Sequence, residues 1–449
     1  MRYPISFLRE RILSLLPALV LASLPYAGYS QTDSTAVDTN PPESKERPFV
    51  TLNPTDQVPQ VRAIIPMDGA NVFFLNHRGQ IGAAKFSPGL SQIGWDLYSE
   101  IKLNALPSLA LGPNYSILTA SENELTQAFD SDKNAQLDFF QALLQDWPGR
   151  GKGVTITAGP VADQWGRIIL ALSPGSLNEG QPARARLVAW HPEHKKLVTV
   201  TESELLIDAF AINRDGLVAS RLHMADYKDG YFVSLTDLPS FDSKQPDASP
   251  DPMPFTLPSL VIPAELTKND PPVQLCFAHE GGKEKLLLPC PKSKHLIEIL
   301  PEKLGNIWQG SILLRGKTER PVESIVEMSS GVILGGGSEG FVPLSGLSEP
   351  YRIMRITLAK DGVILFFNRS IDRFEGSKPE NYSVKAIALN GGETTLAVVP
   401  VIESDGKAVI LKTNAISAGT VLRVVCQNLP SEKGETLLSS AAFYTVHRR

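Results

Sequence analysis

The chain has 449 residues, of which 20 % are charged and 42 % hydrophobic, and it carries a net charge of −5. This composition is typical of a globular protein with two or three domains and excludes a largely disordered chain. The acidic balance argues against nucleic acid as a partner, because nucleic-acid-binding proteins need a basic patch.

The N-terminus has the pattern of a secretory signal peptide. Three arginines precede an apolar run from Ile12 to Leu24, and small residues follow before Ser30. We predict a signal peptide over 1–30, a flexible leader rich in Pro, Ser, Thr and Asp over 31–60, and a secreted or periplasmic mature chain. An uncleaved anchor is the alternative, but the run is short for a membrane span, and no later stretch is long enough for one.

Residues 61–350 have the pattern of an all-β domain, in which short apolar runs alternate with polar turns. Turns are predicted at Asp68-Gly69, Asp163 to Gly166, and Asp215-Gly216. Repeated hairpins of this kind favour a β-propeller, and a span of this length holds about six blades of roughly 40–50 residues. Another stack of sheets is the alternative.

Two segments depart from this pattern. Residues 121–147 predict a short helical insertion, with Ser121 as the N-cap and Glu124 completing a capping box. Residues 351–449 contain strands at the spacing of a β-sandwich, with hairpin turns at Asp361-Gly362 and Asp405-Gly406. About 100 residues is the size of an immunoglobulin-like sandwich, which we predict for this tail.

An acidic stretch inside the predicted helical insertion has the spacing of a calcium-binding loop. An EF-hand loop places oxygen ligands at alternate positions and a bidentate Glu at its last one. Ala135 stands where such a loop has Gly, and Gln141 replaces the final carboxylate, so we expect weak binding. A solvated acidic turn without an ion is the alternative. The predicted calcium ligands are Asp130, Asp132, Asn134, Gln136 through its backbone carbonyl, and Asp138.

The chain has three cysteines, and two of them are close in sequence. Cys276 and Cys290 bracket CFAHEGGKEKLLLPC, which predicts a hairpin or loop that a disulfide could close in an exported protein. Free thiols are the alternative. Cys426 lies in an apolar run and is predicted to be a buried strand residue.

Histidines occur in two patterns that chemistry uses. His191 and His194 are three residues apart, which on a helix is a zinc-ligand spacing, but Pro192 and the flanking β runs favour a turn. His223 and Asp226 lie in SRLHMADYKDGYF, where a His near a carboxylate suits general base chemistry and an exposed loop is the alternative.

Several strand phrases suggest a family. They are AGPVADQWGRIILALS, AFAINRDGLVASRL, PSLVIPAEL, and LGNIWQGSILLRG with its trailing SSGVILGGGSEG. In these phrases the chain resembles secreted glucose/sorbosone dehydrogenase-like β-propellers, a quinoprotein-type group abundant in planctomycetes and verrucomicrobia. ILFFNRSIDRFEGSKPENYSVKAI is similar to part of the bacterial immunoglobulin-like domain that often follows such propellers.

The resemblance implies a quinone cofactor, a calcium ion, and a His base near an Asp and an Arg that take a hydride from a sugar. His223 and Asp226 lie in a loop that would correspond to part of that site, but HMADYKDGY replaces the family's loop rich in Gly and Asn, so no catalytic residue is carried over. We therefore expect a non-catalytic binding module for a glycan or an envelope protein. A sugar dehydrogenase dependent on pyrroloquinoline quinone and calcium is the alternative, and a purely structural envelope protein is a third hypothesis.

Overall fold

The computed structural model describes residues 59–67, 69–87, 93–99, 101–113, 116–132, 134, 136–174, 184–223, 230–238, 258–345, 349–388, 392–413 and 416–448. In these ranges the chain is all-β apart from a few short turns of helix. The described helices are α1 (Ala264–Thr267), α2 (Arg373–Gly376) and 3-10 turns at Arg150–Lys152 and Pro379–Asn381, and none is long and apolar enough to cross a membrane. The predicted signal peptide, and the leader up to residue 58, lie outside the described residues.

The first four sheets are antiparallel, and each contains four strands that are consecutive in the chain. Sheet 1 consists of β1 (Val61–Pro66), β2 (Asn71–Asn76), β3 (Ile81–Phe86) and β4 (Ile93–Leu97). Sheet 2 consists of β5 (Leu109–Leu111), β6 (Ile117–Ser121), β7 (Glu124–Phe129) and β8 (Phe139–Leu144). Sheet 3 consists of β9 (Val154–Ala162), β10 (Ile168–Pro174), β11 (Ala185–His191) and β12 (Lys196–Ser203). Sheet 4 consists of β13 (Leu206–Ile212), β14 (Leu217–His223), β15 (Gly230–Asp237) and β16 (Leu260–Pro263).

The remaining strands form three further sheets. Sheet 5 begins with β17 (Cys276–Glu280), β18 (Lys283–Cys290), β19 (His295–Leu304) and β20 (Ile307–Lys317). Sheet 6 consists of β21 (Ser324–Glu327), β22 (Ile333–Gly337) and β23 (Gly340–Pro343). Sheet 7 consists of β24 (Ile353–Ala359), β25 (Gly362–Phe367), β28 (Val399–Ile402) and β29 (Ala408–Lys412). The strands β26 (Tyr382–Ala388), β27 (Glu393–Leu396), β30 (Thr420–Cys426) and β31 (Ala441–Val446) extend sheet 5 to eight strands.

One type of turn recurs between strands of the first sheets. The side-chain oxygen of Asn76, Asp163 or Asn213 accepts two backbone N–H groups, at distances between 2.7 and 3.0 Å. Gly166 and Gly216 close two of these turns with φ values of 75° and 84°, a conformation that glycine adopts without strain. The turns predicted at Asp163 to Gly166 and at Asp215-Gly216 are thus confirmed.

Sheets 1 to 6 are arranged in a ring. The first strand of each sheet contacts the first strand of the next, and β21 contacts β1. Thr157 Oγ1 in β9 donates to the carbonyl of Ile207 in β13 at 2.6 Å, and the Ile64 N–H donates to Ser324 Oγ at 3.0 Å across the joint between sheets 1 and 6. Apolar clusters fill the spaces between neighbouring sheets. The arrangement is propeller-like, with the first strands innermost.

The C-terminal strands form a two-layer packing with sheet 7 that is built onto this ring. Sheet 7 packs against β26, β30 and β31, and their side chains share one apolar core with Leu313 of β20. β31 pairs with β20, with Ile312 opposite Phe443, so hydrogen bonding crosses the predicted boundary at residue 350. The other face of β30 and β31 packs on the ring through Val421, Val425 and Phe443. β30 and β31 therefore have both faces buried.

A buried ion network joins the ring to this C-terminal part. Glu298 in β19 is fully buried, and its carboxylate faces Lys285 at 3.3 Å, Arg315 at 3.1 Å and Arg352 at 3.5 Å. Arg352, immediately before β24, is itself 1 % exposed. Buried charges are tolerated only when they are paired, and Glu298 is the fully buried carboxylate that these three cations share. Lys285 and Arg315 also pair with Glu280, and Arg352 pairs with Glu349.

The predicted helical insertion at 121–147 is wrong. Ser121 and Glu124 are paired across a tight hairpin turn between β6 and β7, so neither caps a helix. The strand pair is buried on both faces: Leu118 and Leu125 lie in one apolar cluster, and Ile117 lies in another. A strand buried on both faces lacks a clear alternation of apolar and polar residues, which is why the sequence resembled a helix.

The disulfide considered between Cys276 and Cys290 is absent, and both thiols are free. Cys276 lies opposite Leu287 in the β17–β18 pair, and Leu287 and Cys290 are three residues apart. Side chains alternate along a strand, so the two sulfur atoms point to opposite faces of the sheet. Burial raises the pKa of Cys276, Cys290 and Cys426 to about 12, which keeps all three thiols protonated and unreactive.

Candidate functional site

A cavity of about 470 Å³ lies where the six first strands meet. Strands β1, β5, β9, β13, β17 and β21 all contribute to its lining. Most of the lining is apolar and includes the aromatic residues Phe210 and Phe277. Small-molecule sites are typically apolar cavities of about 300–1,000 Å³ with a few polar groups, and this cavity fits that description.

Most of the polar lining residues fall into two groups along the axis of the ring. Thr157 and Ile207 are in contact near the beginnings of β9 and β13, whereas His279 and Glu327 are in contact near the ends of β17 and β21, so neighbouring first strands run in the same direction. Residues early in the strands form what we name the Asp208 end, and residues late in the strands form the His279 end. The Asp208 end contains Thr157, Asp208 and Gln274, and the His279 end contains Asn213, Arg214, His279 and Glu327.

Polar groups at the Asp208 end are engaged with the protein itself. Arg221 of β14 donates from Nε to Asp208 Oδ1 at 2.6 Å, and the Arg221 side chain is 13 % exposed. The Thr157 hydroxyl donates to a backbone carbonyl, and Gln274 Oε1 accepts from the Ile325 N–H at 2.6 Å. The bonds of Thr157 and Gln274 join neighbouring sheets, and the Arg221–Asp208 pair joins two strands of sheet 4, so this end is held by internal pairs.

The His279 end combines an imidazole with two carboxylates. His279 Nδ1 lies 3.1 Å from Glu327 Oε2, and the His279 backbone N–H donates to the same oxygen at 3.1 Å. On the other side of the ring, His279 Nε2 lies 3.6 Å from Glu284 Oε1, and Asn213 Nδ2 donates to Glu284 Oε2 at 2.7 Å. The His279 side chain is 44 % exposed, so it is accessible to a ligand. Carboxylates beside an imidazole and an amide form a set of hydrogen-bond acceptors and donors that suits hydroxyl groups.

His279 and Glu327 were not predicted as site residues from the sequence. His279 lies in CFAHE, which we treated as one arm of a disulfide loop, and Glu327 follows an apolar strand. The feature that could have indicated them is their position in the strands. Each residue lies at or next to the last residue of an innermost strand, where side chains reach the cavity mouth. That signal becomes usable only once the ring order of the strands is known.

The predicted calcium ligands lie in the loop between β7 and β8, with strands on both sides. Carboxylate oxygens of Asp130, Asp132 and Asp138 lie within 4.8 Å of one another. Asn134 directs its N–H toward Asp130 Oδ1 at 3.1 Å, and the Gln136 N–H donates to Asn134 Oδ1 at 2.9 Å. The structure thus brings three of the predicted ligands together and turns Asn134 toward the loop backbone. Calcium binding by Asp130, Asp132, Asn134, Gln136 and Asp138 stays a prediction.

Hydrogen bonds within this loop already satisfy part of the carboxylate capacity. Asp138 accepts from Ser131 N at 2.8 Å and from Ser131 Oγ at 2.7 Å. The backbone bond and then the hydroxyl bond lower the pKa of Asp138. Nearby, burial and the charge of Asp130 raise the pKa of Tyr98. A cation in the loop would compete with these internal hydrogen bonds, in line with the weak binding expected from the sequence.

His191 is the last residue of β11, and His194 lies in the turn that follows, close to where the sequence predicted a turn. The turn nevertheless brings donor atoms of His191, Glu193 and His194 within 4.8 Å of one another. The side chain of His223, as well as Asp226 and its loop, lies outside the described part of the chain. General base chemistry by His223 and Asp226 stays a hypothesis.

No protein-family model matches this chain, and no curated protein matches it in sequence. Solved structures similar to it include an oxidoreductase (glucose dehydrogenase) of Thermus thermophilus, at 13 % identity and a TM-score of 0.42 over 62 % of this chain and 90 % of that one. The PQQ domain of pyranose dehydrogenase from Coprinopsis cinerea matches at 9 % identity and a TM-score of 0.42, over 66 % of this chain and 97 % of that one. A gluconolactonase of Xanthomonas campestris matches at 10 % identity and a TM-score of 0.41, over 64 % of this chain and 86 % of that one. None of these similarities assigns a ligand or a reaction to this chain.

Proposed function

We propose that this protein is a non-catalytic binding module that takes a carbohydrate into its central cavity. In this proposal the ring is a six-bladed β-propeller, the C-terminal strands form an immunoglobulin-like sandwich, and the mature chain works outside the cytoplasm. The observation that carries the proposal is the cavity of about 470 Å³ whose His279 end holds His279, Glu327 and Asn213.

The chemistry of that end favours a neutral, hydroxyl-rich ligand. Glu327 and Glu284 are two carboxylates on either side of one imidazole, and carboxylates accept hydrogen bonds from sugar hydroxyls. Phe210 and Phe277 lie among the apolar lining residues, against which the C–H groups of a sugar ring can pack. An anionic ligand would meet the charge of Glu327 at the same end.

The alternative of a quinone-dependent dehydrogenase requires a cavity that accepts pyrroloquinoline quinone. This cofactor carries three carboxylates, so its site needs several cationic partners. Among the described lining residues Arg214 is the one Lys or Arg side chain, and Asp208 and Glu327 are carboxylates. This donor set does not fit a group with three negative charges, and we derive no redox step for this protein.

Two assays on the same preparation test the proposal. A glycan array probed with the untagged chain should identify one class of neutral glycan, which calorimetry then confirms in solution. A dye-reduction assay with pyrroloquinoline quinone, calcium and the bound sugar should show no turnover. Dye reduction, or the absence of any bound glycan at concentrations where the chain is folded, would overturn the proposal.

A further inference from the structure

The turn between β11 and β12 gathers three potential metal ligands within four residues. His191 is the last residue of β11, and it pairs with Lys196, the first residue of β12. The Lys195 N–H donates to the His191 carbonyl at 2.8 Å, and Lys195 takes a φ of 50°. This tight turn places Glu193 and His194 above the same end of the strand pair as His191.

The side chains of the turn converge. The imidazole rings of His191 and His194 have centroids 4.5 Å apart and planes inclined by 40°. One donor atom from each of His191, Glu193 and His194 lies within 4.8 Å of the other two. Ligands about 2.0–2.2 Å from a tetrahedral zinc ion are roughly 3.5 Å from one another, so small side-chain rotations would complete the geometry.

We propose that His191, Glu193 and His194 bind one Zn²⁺ ion at this turn. Two imidazoles and one carboxylate are a zinc ligand set that leaves a fourth position for water or a ligand atom from another molecule. None of the three residues lines the central cavity, so the proposal is independent of carbohydrate binding. From the sequence, zinc was disfavoured because a spacing of three residues brings two histidines together on a helix. In the structure, a tight turn brings the same side chains together.

Calorimetric titration with ZnCl₂ tests the site in the untagged chain after removal of metal by a chelator. Wild type should bind one zinc ion per chain at this site. H194A and E193Q change exposed residues of the turn and should each weaken zinc binding by about tenfold or more, with unchanged melting in the absence of zinc. H279A is the matched control, because it removes a histidine that also faces two carboxylates and should leave zinc binding unchanged.

Each outcome of the zinc titration either supports the site or overturns it. Loss of zinc affinity in H194A and E193Q, with wild-type affinity in H279A, supports the site. Zinc binding of equal strength in wild type, H194A and E193Q overturns it, and so does an absence of zinc binding in the folded wild type. Loss in H279A alone would place the zinc at the cavity mouth and would also contradict the proposal.

Discussion

Two His–Glu pairs lie at opposite ends of the same short strand, β21. His77 Nε2 lies 3.1 Å from Glu323 Oε1 just before the strand, and His279 Nδ1 lies 3.1 Å from Glu327 Oε2 at its end. The separations are equal, but His279 and Glu327 line the central cavity and His77 and Glu323 do not. His279 also faces a second carboxylate, that of Glu284. A His–Glu pair therefore becomes a candidate site through its position on the ring, because such a pair occurs at both ends of β21.

The largest expected effect concerns a carboxylate whose role is structural. E298A should lower the free energy of unfolding by about 3–5 kcal/mol, because Lys285, Arg315 and Arg352 would lose their shared buried acceptor. E327Q should change the free energy of unfolding little, because Gln keeps a carbonyl oxygen that can accept the His279 backbone N–H. Urea unfolding followed by circular dichroism measures both. Equal losses in the two variants would remove the distinction between a structural and a ligand-binding carboxylate.

Blocking the cavity should have the next largest effect. Ala162 is exposed at the end of β9 and lines the cavity, so A162W would fill the His279 end. We expect glycan binding to weaken by at least about a hundredfold, or 2.7 kcal/mol, with little change in melting temperature. A142W, at an exposed position of the outermost strand β8, is the matched control. Unchanged binding in A162W would place the glycan outside the cavity.

Glu280 follows His279 in β17 but has a structural role, which should appear in the pH dependence of stability. The hydrogen bond from Arg315, and then that from Lys285, lower the pKa of Glu280 to about 2 from 4.5. A lowered pKa means that the ionised carboxylate stabilises the fold above its ordinary pKa and that this contribution is lost as the pH falls toward about 2. Thermal melts across this window should fall more steeply in wild type than in E280Q. Parallel curves for E280Q and wild type would contradict the pairing.

The smallest expected effect concerns the loop between β7 and β8, whose three carboxylates also converge. Extracellular calcium sites bind with dissociation constants of about 10⁻⁴–10⁻³ M. At the weaker end of this range, about 10 mM calcium should add about 1.4 kcal/mol and raise the melting temperature by about 2 °C. D132N should abolish the shift, and D146N, which changes an exposed Asp outside the loop, should keep it. An identical shift in D132N would assign calcium to another place.

The sequence predicted the fold class because strand and turn signals are local. Asp163 and Asn213 form their turns with residues two and four positions away, which any reader of the sequence can see. The helix at 121–147 failed because burial of β6 and β7 on both faces comes from neighbouring sheets, which the local sequence does not describe.

The candidate sites divide in the same way. Asp130, Asp132 and Asp138 are close in sequence and were predicted to lie together. His279 and Glu327 are 48 residues apart and meet only because β17 and β21 are neighbours in the ring. Residue spacing in the sequence cannot reveal a site whose residues meet only because their strands are neighbours in the ring. For the same reason, the sequence does not show that β31 pairs with β20.

The most direct test of carbohydrate binding at the His279 end is calorimetric titration of the array-selected glycan into wild type, E327Q and E323Q. The two variants remove matched carboxylates, each 3.1 Å from a histidine, at the two ends of β21. We predict that E327Q weakens binding by about tenfold, or 1.4 kcal/mol, and that E323Q binds as wild type does. Equal binding by all three proteins, or a loss in E323Q alone, would contradict the assignment of this cavity end as the binding site.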